Sequence, residues 1–121
     1  MKPKVLVSRK IFDEVLDGLA KQFDVESNQR DVPFTPVQLA RKLQGKTGAI
    51  VLLTDIIDDR LLAQCPDLKI VCNVAVGYNN IDVKAATRRG VMVCNTPGVL
   101  DDTTADFAWT LLLATARRVV E

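Results

Sequence analysis

Short strand-like runs alternate five times with segments of helical spacing, and this alternation constrains the fold more than any other feature of the sequence. The runs are Lys4–Val7, Phe23–Glu26, Ala49–Leu53, Leu68–Val76 and Val91–Cys94. After the first, Ile11, Phe12, Val15, Leu16 and Leu19 recur at the spacing of one helix face. Thr35-Pro36-Val37-Gln38 then opens a second helix with a capping residue, a proline at the first helical position and a glutamine able to reach back. That helix runs to about Leu43 and ends in the segment Gly45–Gly48. A short helix spans about Asp58 or Asp59 to Gln64, because Pro66 disfavours helix at Cys65. Asp82 caps the next helix, which ends at Arg89 with Gly90 as its left-handed stop.

Such alternation predicts an α/β fold, a parallel sheet with helices on both faces and right-handed crossovers. The second run is short and polar, as suits an edge strand. The third is apolar throughout and the fourth nearly so, and the fourth reads as a strand buried on both faces. These features favour the order 2-1-3-4-5, the flavodoxin-like five-stranded arrangement. The final segment does not fit as an outer-layer helix. Thr103-x-x-Asp106 resembles a capping box opening a helix from about Thr103 to Val119. Phe107, Ala108, Trp109, Leu111, Leu112, Leu113, Ala114 and Ala116 surround that helix, and a helix apolar on every side requires burial on every side. It is expected to pack against another domain or another copy of the chain.

Composition removes several functions. The net charge is +1, with basic residues scattered, so neither nucleic acid nor an anionic membrane is the expected partner. No apolar run approaches the length of a membrane span. Cys65, Cys72 and Cys94 show no metal-ligand spacing, and an odd count without a signal peptide predicts reduced thiols in a cytoplasmic protein. There is no histidine, the usual acid/base near neutral pH, which argues against a complete catalytic set in this chain.

Ligands of open parallel sheets bind beyond the carboxyl ends of the strands. The fourth run, Ile70 to Val76, breaks at Gly77 into a polar turn before Asp82. Gly77 alone is compatible with a plain corner or with a loop that brings backbone N–H groups to a ligand. Adjacent third and fourth strands would set Leu53-Thr54 beside Val76-Gly77, with Leu53 and Val76 as an apolar wall. Together these describe a shallow cradle for a small acid. Asp55, Asp58 and Asp59 read as capping or solvated carboxylates, and Arg9 as solvent-facing at a strand end. No G-x-G-x-x-G, P-loop or nucleophile motif completes a chemistry half.

The blocks Leu52-Leu-Thr-Asp55, Asn73-Val-Ala-Val-Gly-Tyr-Asn-Asn-Ile-Asp82, Arg89-Gly-Val-Met-Val-Cys-Asn-Thr-Pro-Gly98 and Asp102-Thr-Thr-Ala-Asp106, with Leu111-Leu-Leu and Arg117-Arg118, resemble the D-isomer-specific 2-hydroxyacid dehydrogenases. Within that family they are most similar to the glyoxylate/hydroxypyruvate and 2-ketogluconate reductases. The resemblance covers essentially the whole chain. It implies a substrate-binding domain over 1–100, with 101–121 an interdomain helix that begins a Rossmann domain for NAD or NADP. It implies that the backbone N–H groups of Val76 and Gly77 bind the carboxylate of a small 2-oxo acid, with Leu53 flanking the substrate and Ala75 in the adjoining loop. Asn95 to Leu100 would be the hinge, Thr104 would contact the dinucleotide, and the 103–119 helix would support a homodimer.

By the same resemblance, the pyrophosphate fingerprint and the catalytic arginine, acidic residue and histidine lie beyond Glu121. This chain is therefore expected to hold no catalytic residue, bind the cofactor weakly if at all, and be inactive alone. Within the family, phosphoglycerate dehydrogenase is the rival reading, since the same Val-Gly cradle serves it. A non-catalytic corepressor on the same scaffold is the alternative from another class. A signalling receiver is disfavoured, because Ser8-Arg9-Lys10 stands where its acidic cluster belongs.

Overall fold

The computed structural model describes residues 1–120. It contains β1 (Lys4–Val7), α1 (Asp13–Ala20), β2 (Asp24–Ser27), α2 (Pro36–Leu43), β3 (Gly48–Val51), α3 (Asp59–Ala63), β4 (Ile70–Asn73), α4 (Val83–Arg88), β5 (Met92–Cys94) and α5 (Asp101–Arg117). The strands form one parallel sheet in the order β2-β1-β3-β4-β5, as the pattern of apolar runs predicts.

Local chemistry sets the helix starts. Thr35 accepts a hydrogen bond from the Gln38 N–H at 3.3 Å, and the Gln38 side chain accepts one from the Thr35 N–H at 2.9 Å, so the expected capping box is complete. Asp58 caps α3 by accepting from Leu61 N–H, and Asp82 caps α4 by accepting from Ala85 N–H, each at 2.8 Å. Gly90 ends α4 with a φ of 68°, the left-handed conformation that glycine adopts without Cβ strain.

The two faces of the sheet are covered unequally. On one, α2, α3 and α4 bury Leu39, Leu43, Leu61, Leu62, Ala85 and Ala86 against Leu6, Ala49, Val51 and Val71. A fully buried leucine there contributes roughly 1.5–3 kcal/mol relative to an exposed one. On the other face, Val7, Ile50, Cys72 and Cys94 stand side by side in register across β1, β3, β4 and β5. The helix beside that row is α1, which buries none of its own residues. The expectation that β4 is buried on both faces is therefore corrected. Val71 and Asn73 are buried, whereas Ile70 and Cys72 are only half-buried, because nothing in the described residues covers the second face over β4 and β5.

Strands β3 and β4 are also shorter than their apolar runs. Leu52 and Leu53 fall in a turn, and Val74 to Val76 form a loop. Hydrophobicity persists past the last ladder bond, so composition alone does not mark the strand end.

The last helix departs from expectation at its start. It begins at Asp101 with Leu100 at the N-cap and no side-chain cap, so Thr103 lies within the first turn rather than capping it. Asp101 and Asp102 place negative charge at the positive end of the helix dipole instead. The expectation that α5 does not pack into this domain's core agrees with the structure. None of its residues is buried, and Phe107, Trp109, Leu111, Leu112 and Leu113 are each more than half exposed. Among the described residues no helix is long and apolar enough to cross a membrane.

Candidate substrate-binding loop and family

Four strand exits meet at the carboxyl edge of the sheet. Those of β3 and β4 are tied together by buried polar side chains, and the half-buried Asn95 links the β5 exit to them. Asn73, the last residue of β4, points to the core side and is 2% exposed. Its Nδ2 donates to the Gly77 carbonyl at 2.9 Å and to Asn80 Oδ1 at 3.1 Å. Asn80 Nδ2 donates in turn to the carbonyls of Leu52 at 3.1 Å and Asp55 at 2.9 Å, and to Asn73 Oδ1 at 3.2 Å. The backbone continues this tie, since Ile57 N–H donates to Asn80 and Asp82 N–H donates to Ile57.

Asp55 holds the β3 exit from the other side. Its carboxylate is 1% exposed and accepts from Ser8 Oγ and from Leu52 N–H, linking the ends of β1 and β3. The three aspartates therefore divide. Asp58 is a helix cap, Asp59 pairs with Arg89 at 2.9 Å on the surface, and Asp55 is a buried clamp rather than a solvated charge. Arg89 and Arg88 beside Asp59 hold its carboxyl below the usual range, away from the site. Arg9 is not simply solvent-facing either. It bridges Asp31 at 3.0 Å and Thr54 Oγ1 at 3.3 Å, so its charge is already engaged.

The loop after β4 has a consistent polarity. The Ala75 carbonyl accepts from Thr96 N–H at 2.9 Å, the Val76 carbonyl from Asn95 Nδ2 at 2.8 Å, and the Gly77 carbonyl from Asn73 Nδ2 at 2.9 Å. No N–H of residues 75, 76 or 77 has a protein acceptor among the described residues. All peptide bonds among the described residues are trans, and in a trans peptide the N–H points opposite to the preceding carbonyl. Anchoring the Ala75 and Val76 carbonyls on Asn95 and Thr96 thus aims the N–H groups of Val76 and Gly77 away from the β5 exit. Two adjacent free donors on a fixed backbone suit an anion.

Gly77 is glycine for neither of the usual internal reasons. Its φ lies outside the left-handed region, and a Cβ built on it meets no atom within 4 Å. The space that a side chain would fill lies open above the loop.

The sequence-derived site residues distribute as follows. Ala75 and Val76 are half-buried and Gly77 exposed within the one loop. Leu53 is 56% exposed in the turn that Asn80 ties to that loop. Thr104 sits apart on α5, exposed, with its N–H bonded to the Leu100 carbonyl. Asp101, one turn before it, carries a carboxylate on the same side of the helix, so any phosphate contact at Thr104 would need donors from outside the described residues. The anchoring roles of Asn73, Asn80 and Asn95 and the inward turn of Asp55 are not evident from the sequence. An asparagine inside an apolar run, as at Asn73, was the available signal, since a buried amide must find partners.

Comparison with known proteins agrees with this architecture. Residues 5–119 match the family model described as "D-isomer specific 2-hydroxyacid dehydrogenase, catalytic domain". The glyoxylate reductase of Aeropyrum pernix is 49% identical over 120 residues, covering 99% of this chain and 36% of the relative. That of Thermococcus kodakarensis is 47% identical over 123 residues, covering 100% of this chain and again 36% of the relative. The chain thus spans about a third of the length of these relatives. A solved protein from Thermus thermophilus superposes with a TM-score of 0.85 at 38% identity, covering 98% of this chain and 38% of that one. An NADPH-dependent glyoxylate/hydroxypyruvate reductase from Sinorhizobium meliloti, solved with NADP and malonate, gives a TM-score of 0.73 at 34% identity, covering 95% of this chain and 34% of that one. With residues 5–119 matched, nearly the whole of its 121 residues, this chain belongs to the D-isomer specific 2-hydroxyacid dehydrogenase family.

Proposed function

We propose that this chain is the substrate-binding portion of an NADH- or NADPH-dependent reductase of small 2-oxo acids. In this reading the N–H groups of Val76 and Gly77 hold the substrate carboxylate, Ala75 shapes the loop, and Leu53 flanks the carbon end. One observation carries it: the carbonyls of residues 75, 76 and 77 are all anchored to the protein while the corresponding N–H groups are left free. The names of the relatives support glyoxylate as a substrate, and the small dicarboxylate bound to the Sinorhizobium meliloti enzyme is of the size this loop would take.

The chain supplies binding and not chemistry. It has no histidine to protonate the developing alkoxide, and Arg9 is engaged by Asp31. The 121-residue chain is expected to turn over no glyoxylate with reduced nicotinamide. Residues 1–100 would form the substrate domain, with α5 leading towards the cofactor domain, Thr104 touching the dinucleotide there, and the apolar surface of α5 pairing with a second copy. The whole protein would work in the cytoplasm.

The test is an NMR titration of the isotope-labelled chain with glyoxylate and malonate, using glycolaldehyde as the uncharged control. The amide signals of Val76 and Gly77 should move saturably with the acids and stay still with glycolaldehyde. Shifts confined to other residues would overturn the assignment.

A further inference from the structure

Cys72 on β4 and Cys94 on β5 are partners in the parallel register. Neighbouring strands lie about 4.8 Å apart, within the roughly 4.4–6.8 Å range of Cα separations that a disulfide spans. Side chains in register project to the same face, and both thiols line one open cavity of about 540 Å³ that Phe12, Val15 and Ile50 also border. Cys94 is exposed and Cys72 half-buried. β5 is a three-residue edge strand with no strand beyond it, so it can yield towards β4. Cys65 differs in every respect. It is buried in the core on the other face, with its thiol directed at the Ala40 carbonyl.

We propose that Cys72 and Cys94 are a reversible redox pair, which a hydroperoxide or a small disulfide closes into an intrachain bond across β4 and β5. The exposed Cys94 is the attacking thiol. Burial pushes the Cys72 thiol up and the neighbouring Cys94 pushes it further, so Cys72 is a poor first nucleophile and the attack falls to the solvent-exposed Cys94. The Cys94 thiolate attacks a peroxide oxygen, breaking the O–O bond to give a sulfenic acid and releasing one water after protonation. The Cys72 sulfur then displaces the sulfenic oxygen, which leaves as a second water. Two thiols lose two electrons and two protons, and hydrogen peroxide becomes two waters. With a small disulfide, Cys94 first forms a mixed disulfide, and Cys72 expels the second small thiol.

The pair sits where it reaches the binding loop. Asn95 and Thr96 follow Cys94 directly and hold the Val76 and Ala75 carbonyls. Drawing Cys94 towards Cys72 displaces both anchors, whatever ligand the loop takes. The bond would lie at an exposed sheet edge, where a small thiol can reach it, which makes it reducible and suits a switch rather than a staple.

The experiment treats the chain with hydrogen peroxide or oxidised glutathione, blocks free thiols with N-ethylmaleimide, and maps tryptic peptides by mass. The expected product joins the peptides 70–84 and 90–117 with the loss of two hydrogens, leaves Cys65 alkylated, and reverts with dithiothreitol. Cys72→Ser should stop at a Cys94 mixed disulfide with glutathione, and Cys94→Ser should give no intrachain bond. In the oxidised chain without ligand, the amide signals of Val76 and Thr96 should shift while those of Leu39 and Leu43 in α2 stay in place. Full alkylation of Cys72 and Cys94 after oxidation, or pairing through Cys65, would overturn the proposal. An unchanged loop spectrum in the disulfide form would remove the link to the binding loop.

Discussion

Asn73 and Asn80 face each other at the exit of β4 and exchange hydrogen bonds, each Nδ2 donating to the other's Oδ1, at 3.1 and 3.2 Å. Asn80 shares its other N–H between the Leu52 and Asp55 carbonyls, and Asn73 directs its other to that of Gly77. Two buried amides thus set the spacing between the β3 turn and the β4 loop. Asn80→Ala would leave buried carbonyls without partners, each costing roughly 1–3 kcal/mol. Urea unfolding should show a loss of about 2–4 kcal/mol, and Asn80→Asp should fare no better because a carboxylate offers those carbonyls no donor. A loss below half a kilocalorie would mean that solvent replaces Asn80 at no cost.

Gly77→Ala separates the fold from the site. The φ of Gly77 suits an ordinary residue and the space above it is open, so the fold does not oppose a methyl group. Stability should hold, or rise by up to about 1 kcal/mol, because alanine restricts the unfolded chain. Binding of glyoxylate or malonate, read from the Val76 amide, should weaken, since the methyl occupies the volume the acid needs. Equal affinity in the two proteins would place the acid elsewhere.

The topology was legible because it depends on what periodicity encodes. Apolar runs and a polar second strand gave the sheet order, and Thr35, Asp58 and Asp82 gave the helix starts. The loop at Gly77 could be located from its position after a central strand, but its polarity could not. That polarity depends on Asn95 and Asn73, which lie eighteen residues beyond and four residues before it, and asparagine pairing has no period. Asp55 misled for a related reason. A loop carboxylate near two others resembles solvated charge until folding brings the Ser8 hydroxyl and the Leu52 N–H against it. Thr103 failed as a cap because the short-range pattern says nothing about where the preceding turn of α5 starts.

The exposed surface of α5 predicts self-association. Phe107, Trp109, Leu111, Leu112 and Leu113 are each more than half exposed on one helix, and large apolar side chains gathered in this way mark an interaction surface. Sedimentation velocity should find dimers or larger species at micromolar concentration. Trp109→Glu combined with Leu112→Glu should shift the chain to monomer without changing the core signals, because neither side chain is buried in the fold. Wild-type protein that sediments as a monomer throughout would show that this face tolerates water.

Acid should weaken one surface linkage in a defined direction. Glu26 on β2 pairs with Lys42 on α2 and with Lys46 just after it, both at 2.6 Å. Hydrogen bonds from Lys42 and then Lys46 hold its carboxyl below the ordinary glutamate range, outweighing the opposing effect of burial. The folded state therefore binds this proton less readily than the unfolded chain does. The resulting stabilisation is fully present above the ordinary glutamate pKa and disappears as pH falls through the lowered folded value. Because the carboxylate and Lys42 are partly exposed, the contribution should be under about 1 kcal/mol. Glu26→Gln should lower the urea midpoint at neutral pH and match the wild type in strong acid, where both side chains are uncharged. A gap that persists undiminished in acid would assign the loss to packing at the β2 edge rather than to charge.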